Sequence, residues 1–231
     1  MKKSKKTKME FLGRPQTYKL VQASERSPQP LVDKFLVLMM VVLGIRIGEL
    51  AHMTRDWVDF TNKMIRIPSH QPCDCAYCRR QMGQMMKRKD ISSEDAQKKF
   101  WKPMTAASSR TIYYGFDSEL VRTVNAFFKE YERFPLSPIQ TCTHLRRLGM
   151  TAKMDTLSPM CLRKTAAMKF AYDGMNVKAL QTIMGWANIQ DASIFVDRSG
   201  AMLKDELEGL YGDGTKNHSK KISKNSKRKD G

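Results

Sequence analysis

Two arginines of this chain lie in settings suited to holding an anion. Arg46 is followed three residues later by Glu49, on the same face of a helix, and Glu49 can hold Arg46 in place. Arg163 lies in the first turn after Ser158, which with the following proline is a strong helix start. A guanidinium donates two hydrogen bonds to phosphate oxygens, and the N–H groups of a helix start favour the same ligand. Taken singly, each arginine is more typical of a solvated surface residue, so a phosphate-binding role depends on the other residues at matching spacing.

A second pair of residues lies further along the chain. Trp186 follows a glycine, and its indole N–H can donate a hydrogen bond to a phosphate oxygen. Phe195 lies nine residues after Trp186 and has no polar side-chain atom. Each of these aromatic residues, taken singly, is more typical of a protein core than of a reactive site.

The blocks around Arg46, Arg163, Trp186 and Phe195 resemble, in order and spacing, the catalytic domain of tyrosine recombinases, the phage-integrase family. The resemblance covers about residues 31–212 and does not include the smaller DNA-clamping domain that usually precedes the catalytic domain. It implies that the two arginines contact the scissile phosphate and that Trp186 fills a position that is His or Trp. It also implies that Phe195 stands where the family has its tyrosine nucleophile.

The chain departs from the family pattern at three positions. Met160 replaces the histidine that acts as general acid/base, and Met104 replaces a lysine that protonates the leaving oxygen. Lys102, on the same face of a predicted strand, can substitute for that lysine. A missing general acid/base costs roughly two to four orders of magnitude in rate, whereas Phe195 cannot form a phosphotyrosyl bond at all. Phe195 is either an engineered substitution or part of a diverged site, and the two methionines favour divergence.

The resemblance implies a DNA-binding protein of site-specific recombination or integration. With a tyrosine at position 195, the reaction would be strand cleavage and rejoining through a 3′-phosphotyrosine, without a metal or nucleotide cofactor. Active members of the family work as tetramers on DNA. One alternative is a catalytically inactive regulator that occupies DNA sites, and another is an architectural protein that binds through its basic tails.

The charge of the chain favours a polyanionic partner. Lys and Arg total 41 against 23 Asp and Glu, for a net charge of +18, with +5 in residues 1–8 and +6 in residues 214–231. Such an excess indicates nucleic acid or an acidic membrane surface, and we predict double-stranded DNA. The side chains that we expect to contact the DNA backbone are Arg79, Arg80, Lys87, Arg88, Lys89 and Lys164.

Other features of the sequence predict an intracellular protein, in the cytoplasm or nucleoid. The start of the chain does not have the pattern of a secretory signal. The apolar run 35–45 is too short to cross a membrane and is typical of a buried helix, so we expect no membrane partner. Five cysteines, an odd number, favour a reducing compartment over a disulfide framework.

A cluster of cysteines raises the question of a metal. Cys73, Cys75, Cys78 and His70 offer four ligands within nine residues, which is the number that structural zinc takes. The alternative is three reduced cysteines in a mobile loop. Cys142 or His144 can also take the place of His70.

The chain as a whole is predicted to be mostly α-helical with a small antiparallel β-sheet (α+β). We expect a basic arm or linker over 1–30, a catalytic-domain-like unit over 31–212 and a basic tail over 213–231. The predicted helices lie at 31–43, 47–53, 118–131, 158–172, 176–184 and 203–211, with a hairpin at 57–68, a turn at 61–63 and a third strand at 109–114. Residues 68–100 have no clean periodicity.

Overall fold

The structure, a computed structural model, describes residues 11–98, 101–154 and 156–200. The helices are α1 Arg14–Glu25, α2 Pro30–Val41, α3 Ile47–Leu50, α4 Ala76–Lys89, α5 Ser93–Gln97, α6 Ser118–Glu130, α7 Pro138–Thr151, α8 Pro159–Tyr172, α9 Val177–Met184 and α10 Gln190–Ser199. The strands are β1 Val58–Asp59, β2 Met64–Ile67 and β3 Arg110–Tyr113. A mostly helical chain with one small antiparallel sheet confirms the predicted fold class.

Helix α2 forms the centre of the core. Every residue from 35 to 41 is buried, because the helix packs against α1, α6 and α8 on different sides. The Phe35 ring stacks on Phe127 of α6, with ring centroids 3.8 Å apart. Burying one large apolar side chain contributes about 1.5–3 kcal/mol, so α2 gives the helices that carry the site a firm support.

Helix α1 differs from the sequence prediction of an arm or linker over residues 1–30. Pro15 lies in its first turn, where a proline costs no hydrogen bond, and Leu20 and Ala23 are buried. The N–H of Leu12 donates to the hydroxyl of Thr165 in α8 at 2.8 Å. The prediction of an arm was wrong for this helical part because the prolines and polar residues outweighed a weak apolar pattern.

A tight turn joins α2 to α3. Gly44 adopts φ +65°, and a Cβ at this position would lie 2.8 Å from the side chain of Met184. The turn places Arg46 at the N-cap of α3, which ends at Leu50, before the predicted end at Met53. Gly44 therefore allows both the chain reversal and the close approach of α9.

The sheet has the order β1-β2-β3, with both pairs antiparallel. Val58 pairs with Ile65 across the first hairpin, and Lys63 adopts φ 54° in the predicted turn. Between β2 and β3, Ile67 pairs with Arg110. The hairpin and third strand that the sequence predicts are therefore confirmed.

Residues 68–109 form an insert between two strands that are neighbours in the sheet. It contains α4 and α5, although the sequence predicts no regular element there. Cys78 is the only buried residue of α4, so the helix has no apolar face that a periodicity could reveal. Its start is instead fixed by the Cys75 sulfur, which accepts the N–H of Cys78 at 3.4 Å.

The C-terminal half is a set of capped helices. Helix α6 confirms the prediction for 118–131, and Ser158 and Asn176 cap α8 and α9 as predicted. Helices α7 and α10 have no counterpart in the sequence prediction. The predicted helix 203–211 and the basic tails 1–8 and 214–231 lie outside the described residues.

Candidate functional site

The short helix α3 places Arg46 and Glu49 side by side. The backbone N–H of Arg46 donates to Glu49 Oε2, and the Arg46 side-chain Nη1 donates to Glu49 Oε1, both at 2.9 Å. The Nη2 atom of Arg46 donates to the carbonyl of Gly185 at 2.7 Å. The i,i+3 pairing expected from the sequence is therefore present, and Arg46 also joins α3 to the end of α9.

Arg110 is a member of this group that the sequence did not reveal. It is the first residue of β3 and is buried, and its Nη1 and Nη2 donate to the two carboxylate oxygens of Glu49 at 2.8 and 3.1 Å. Its Nε donates to the carbonyl of Ile183 at 2.7 Å. The signal that would have indicated its burial is strand alternation, because Arg110 shares a face with the buried Ile112.

Glu49 is 1% exposed, so its carboxylate is buried. Burial acts to raise its pKa, but the guanidinium groups of Arg110 and Arg46 outweigh burial and hold the pKa below its usual range. Glu49 is therefore ionised at neutral pH. It fixes two arginines by hydrogen bonds that use both of its oxygens.

Arg163 completes the group from α8. Only 5% of it is exposed, and its guanidinium donates to the carbonyls of Gly44 and Met184. Burial, followed by the positive charges of Arg46 and Arg110, lowers the pKa of Arg163 to about 9, while Glu49 opposes the change. Arg163 keeps its charge at neutral pH, but in surroundings that disfavour that charge.

Two stacked rings border the arginines. The Arg163 guanidinium carbon lies 5.7 Å from the centroid of the Trp186 ring. Trp186 in turn stacks on Phe195 of α10, with centroids 5.3 Å apart and an interplanar angle of 14°. The structure thus brings Arg46, Arg163, Trp186 and Phe195 together, although the sequence separates them widely.

Gly185 lies at the junction of these contacts. It ends α9 with φ +60°, and a Cβ at this position would lie 2.8 Å from Arg110 Nη1. Its carbonyl accepts the hydrogen bond from Arg46. The glycine before Trp186 is therefore required by both the backbone conformation and the space that Arg110 fills.

The predicted proton-transfer positions are exposed, in contrast to the buried arginine group. Met160 is in the first turn of α8 and is 56% exposed. Lys102 and Met104 are also exposed, on an irregular segment. The expectation that they share the face of a strand is wrong, because the insert approaches β3 through a loop and a short 3₁₀ turn.

The residues that the sequence predicts to contact DNA lie in two places. Helix α4 bears five exposed basic side chains and has no acidic residue in its sequence, and Lys164 is half-buried beside Arg163 in α8. The basic side chains of α4 are Arg79, Arg80, Lys87, Arg88 and Lys89.

The candidate metal ligands need one correction. Cys73, Cys75 and Cys78 lie together as predicted, but the residue beside them is His52 and not His70. His70 is exposed, and His144 instead pairs with Asp33 of α2 at 2.6 Å. His52 escaped notice in the sequence because it lies far from the cysteines and before the hairpin.

Comparison with known proteins agrees with this geometry. Residues 10–201 match the phage integrase family. The chain belongs to this family. The resemblance inferred from the sequence blocks is therefore confirmed, and no curated protein matches the chain.

Solved structures show the same fold at low sequence identity. The XerA recombinase superposes with a TM-score of 0.60 at 15% identity, over 87% of this chain and 64% of that one. The Tn1549 transposon integrase in complex with circular intermediate DNA gives 0.63 at 19% identity, over 85% and 66%. The catalytic domain of bacteriophage HP1 integrase gives 0.56 at 16% identity, over 87% and 94%. This chain thus spans less than two thirds of the length of the first two.

The length and hydrophobicity of the helices indicate whether any of them could cross a membrane. Among residues 11–98, 101–154 and 156–200, each helix is either too short or too polar to cross a membrane.

Proposed function

We propose that this integrase-family chain binds double-stranded DNA in site-specific recombination or integration, with a backbone phosphate held by Arg46 and Arg163. The observation that carries the proposal is the buried arginine group. Three guanidiniums surround one carboxylate, which leaves an excess of two positive charges. A DNA phosphodiester carries one negative charge, which offsets half of this excess, and its two non-bridging oxygens accept the hydrogen bonds that guanidiniums donate.

The energetic state of Arg163 supports this assignment. Its charge is disfavoured by burial and by Arg46 and Arg110, and a lowered pKa reports that unfavourable state. A bound phosphate would add the missing negative charge and accept hydrogen bonds from the guanidinium. Perturbed ionisable groups of this kind are typical of functional sites.

The ring of Phe195 supports a role in binding without cleavage through this position. It stacks on Trp186 beside Arg163, and this position next to the arginines supports the assignment of Phe195 to the family's nucleophile position. A phenylalanine ring offers no oxygen to attack phosphorus, and Met160 offers no proton. The second candidate function, a catalytically inactive regulator or architectural protein, is favoured by these same two residues.

The basic side chains of α4 support contacts with flanking DNA. These five exposed residues lie in the segment that joins β2 to β3. Contacts of this kind add affinity without reading sequence, and each depends on salt. Assembly of several copies on DNA, including a tetramer, is part of the proposal on the strength of the family resemblance alone.

Binding can be tested with a duplex that the full chain enriches from a random library. Arg163→Lys keeps the charge but loses the planar fork, and we expect affinity to fall about 10- to 100-fold, since a charge-assisted hydrogen bond contributes about 1.5–3 kcal/mol. Arg122→Ala, which removes an exposed guanidinium on α6, is the control. Equal affinities for the two variants would contradict a phosphate site at Arg163, provided that both melt as the parent does.

The contribution of α4 has its own measurement. Arg79→Ala with Arg80→Ala should lower the slope of log affinity against log salt by about 0.9 for each phosphate that the variant no longer neutralises. The enriched and unrelated duplexes should lose affinity alike, because phosphate contacts carry no sequence information. An unchanged salt slope would remove α4 from the interface.

Cleavage is tested on a nicked version of the same duplex, which traps a covalent adduct. The chain with Phe195 should give none. Phe195→Tyr restores the oxygen, and we expect an adduct that forms about 10²–10⁴ times more slowly than in an enzyme with a complete proton-transfer set. An adduct in the chain with Phe195 would refute binding without cleavage.

A further inference from the structure

Three sulfur atoms and one imidazole nitrogen converge beside α3. The ligand atoms of Cys73, Cys75, Cys78 and His52 all lie within 4.8 Å of one another. We propose that these four residues bind a zinc ion, which fastens the insert 68–109 to the segment that carries Arg46 and Glu49. The proposal is independent of DNA binding, because neither the ligands nor their arrangement involves the arginine group.

The distances fit tetrahedral zinc. With Zn–S of about 2.3 Å and Zn–N of about 2.0–2.1 Å, a tetrahedral ion with three sulfurs and one nitrogen holds its ligand atoms about 3.5–3.8 Å apart. His52 Nε2 lies 3.2 Å from the Cys78 sulfur and 3.5 Å from the Cys75 sulfur. These two distances are close to the tetrahedral values, and since all four atoms lie within 4.8 Å of one another, none of the separations has to shorten by more than about 1 Å to enclose the ion.

The orientation of His52 is suited to ligation through Nε2. Its Nδ1 lies 2.7 Å from the carbonyl of Gly48, and because a carbonyl only accepts, Nδ1 must carry the proton. The lone pair is then on Nε2, which faces the sulfurs. A metal-bound histidine commonly donates its other N–H to a carbonyl in this way, and that contact fixes the ring.

The ring of His52 is also held by the insert itself. It stacks on Trp101, with centroids 5.0 Å apart and an interplanar angle of 14°, and Trp101 stacks on Trp57. The N–H of Gln71 donates to the carbonyl of Trp101 at 2.7 Å, which ties the two ends of the insert together. The ligand is thus positioned before any ion binds.

The insert has a physical need for such an ion. Helix α4 buries only Cys78, so it gains little from apolar packing. A segment that lacks a core of its own is often stabilised by a structural metal. Three cysteines with a histidine is a common ligand set for structural zinc, and thiolates with imidazole favour zinc over magnesium or calcium.

The first experiment measures metal in the full chain, purified without chelators. We expect about one zinc per chain by elemental analysis. Cys75→Ser and His52→Gln should lose most of this zinc. The matched controls are Cys142→Ser, at an exposed cysteine outside the group, and His70→Gln, at the histidine nearest to the cysteines in sequence. Both controls should keep it.

A second measurement does not depend on the variants folding. The zinc is removed from the parent chain and Co²⁺ is added, and we expect the visible absorption of a tetrahedral cobalt site together with a thiolate charge-transfer band. Zinc should then displace the cobalt and abolish both signals.

Several results would overturn the proposal. One is a parent chain that neither contains zinc nor takes up cobalt tetrahedrally. Another is a disulfide among Cys73, Cys75 and Cys78 in the protein as isolated. Loss of zinc in His70→Gln with retention in His52→Gln would overturn the assignment of the fourth ligand.

Discussion

Two groups of side chains flank the same short segment of the chain, and they are built in different ways. Around Glu49, three arginines arrive from α3, β3 and α8 and are held by hydrogen bonds to one carboxylate and to backbone carbonyls. Around His52, three residues later, the partners are cysteines of a single insert. In the first group, Arg46 and Arg110 bind Glu49 directly and Arg163 binds backbone carbonyls. In the second group, the three sulfurs and the imidazole are the ligands of the zinc ion proposed above.

The two groups therefore depend on different conditions. The arginine group is fixed by contacts within the chain, so its stability belongs to the fold. With the zinc ion proposed above, the cysteine group would gain stability from the free energy of metal binding, so its stability would depend on zinc concentration. Substitutions at Glu49 and His52 can separate the two cases.

The largest effect is expected at Glu49. Glu49→Gln leaves Arg110 and Arg46 without their buried counter-charge, and we expect the free energy of unfolding to fall by about 3–5 kcal/mol in urea denaturation. Glu119→Gln, which removes the surface partner of Lys34, is the control and should cost about 0–1 kcal/mol. Similar costs for the two variants would show that the arginine group is not held by Glu49.

The next effect concerns His52. At free zinc about 100 times the Kd, His52→Gln should lower the free energy of unfolding by about 2.7 kcal/mol. With a chelator present, this zinc-linked difference should disappear, and only the small cost of losing ring packing remains. A difference that is the same with and without chelator would make His52 a packing residue and would erase the contrast with Glu49.

A smaller effect, the difference in stability between two glycine substitutions, tests how tightly the arginine group is packed. Gly185→Ala and Gly174→Ala both place a Cβ at positive φ, but only at Gly185 does that Cβ meet Arg110, at 2.8 Å. Both should lose about 1–2 kcal/mol of stability through the backbone, and Gly185→Ala about 1–3 kcal/mol more. Equal midpoints in urea would mean that Arg110 moves aside freely.

The smallest expected effect is the pH dependence of the stability that Glu49 contributes. Burial raises and Arg110 lowers the pKa of Glu49, with a net decrease from its usual 4.5. A carboxylate of this kind contributes stability above its unfolded pKa and loses it as the pH falls through the folded pKa. The difference in unfolding free energy between the parent and Glu49→Gln should therefore shrink below about pH 4.5. A constant difference would contradict an ionised Glu49.

The parts of the site that the sequence predicted are those with a local signature. Arg46 and Glu49 are three residues apart on one helical turn, and Arg163 follows a serine-proline helix start. The family spacing added Trp186 and Phe195. Each of these predictions depends only on contacts within one helical turn or on the order of the family's sequence blocks, and both can be read from a sequence.

The missed parts depend on distant contacts. Arg110 can be buried because it pairs with Glu49, which lies 61 residues earlier in the sequence. His52 contacts the cysteines because the insert folds back against α3. Among folded elements, α4 has no apolar face to indicate it, and α1 is stabilised by contacts with α2 and α7. Nearness in sequence favoured His70, but tertiary packing placed His52 there.

The insert between β2 and β3 has a consequence for the order of folding events. Ile67 and Arg110 pair directly, yet roughly 40 residues separate them, and closing such a loop costs on the order of 3 kcal/mol in chain entropy. Contacts between distant segments form slowly, so we expect β3 to join the sheet late, after the hairpin of β1 and β2. Because Arg110 begins β3, Glu49 gains this partner only at that step. We therefore expect the arginine group to assemble late in folding, and an ion that compacts the insert to speed that step.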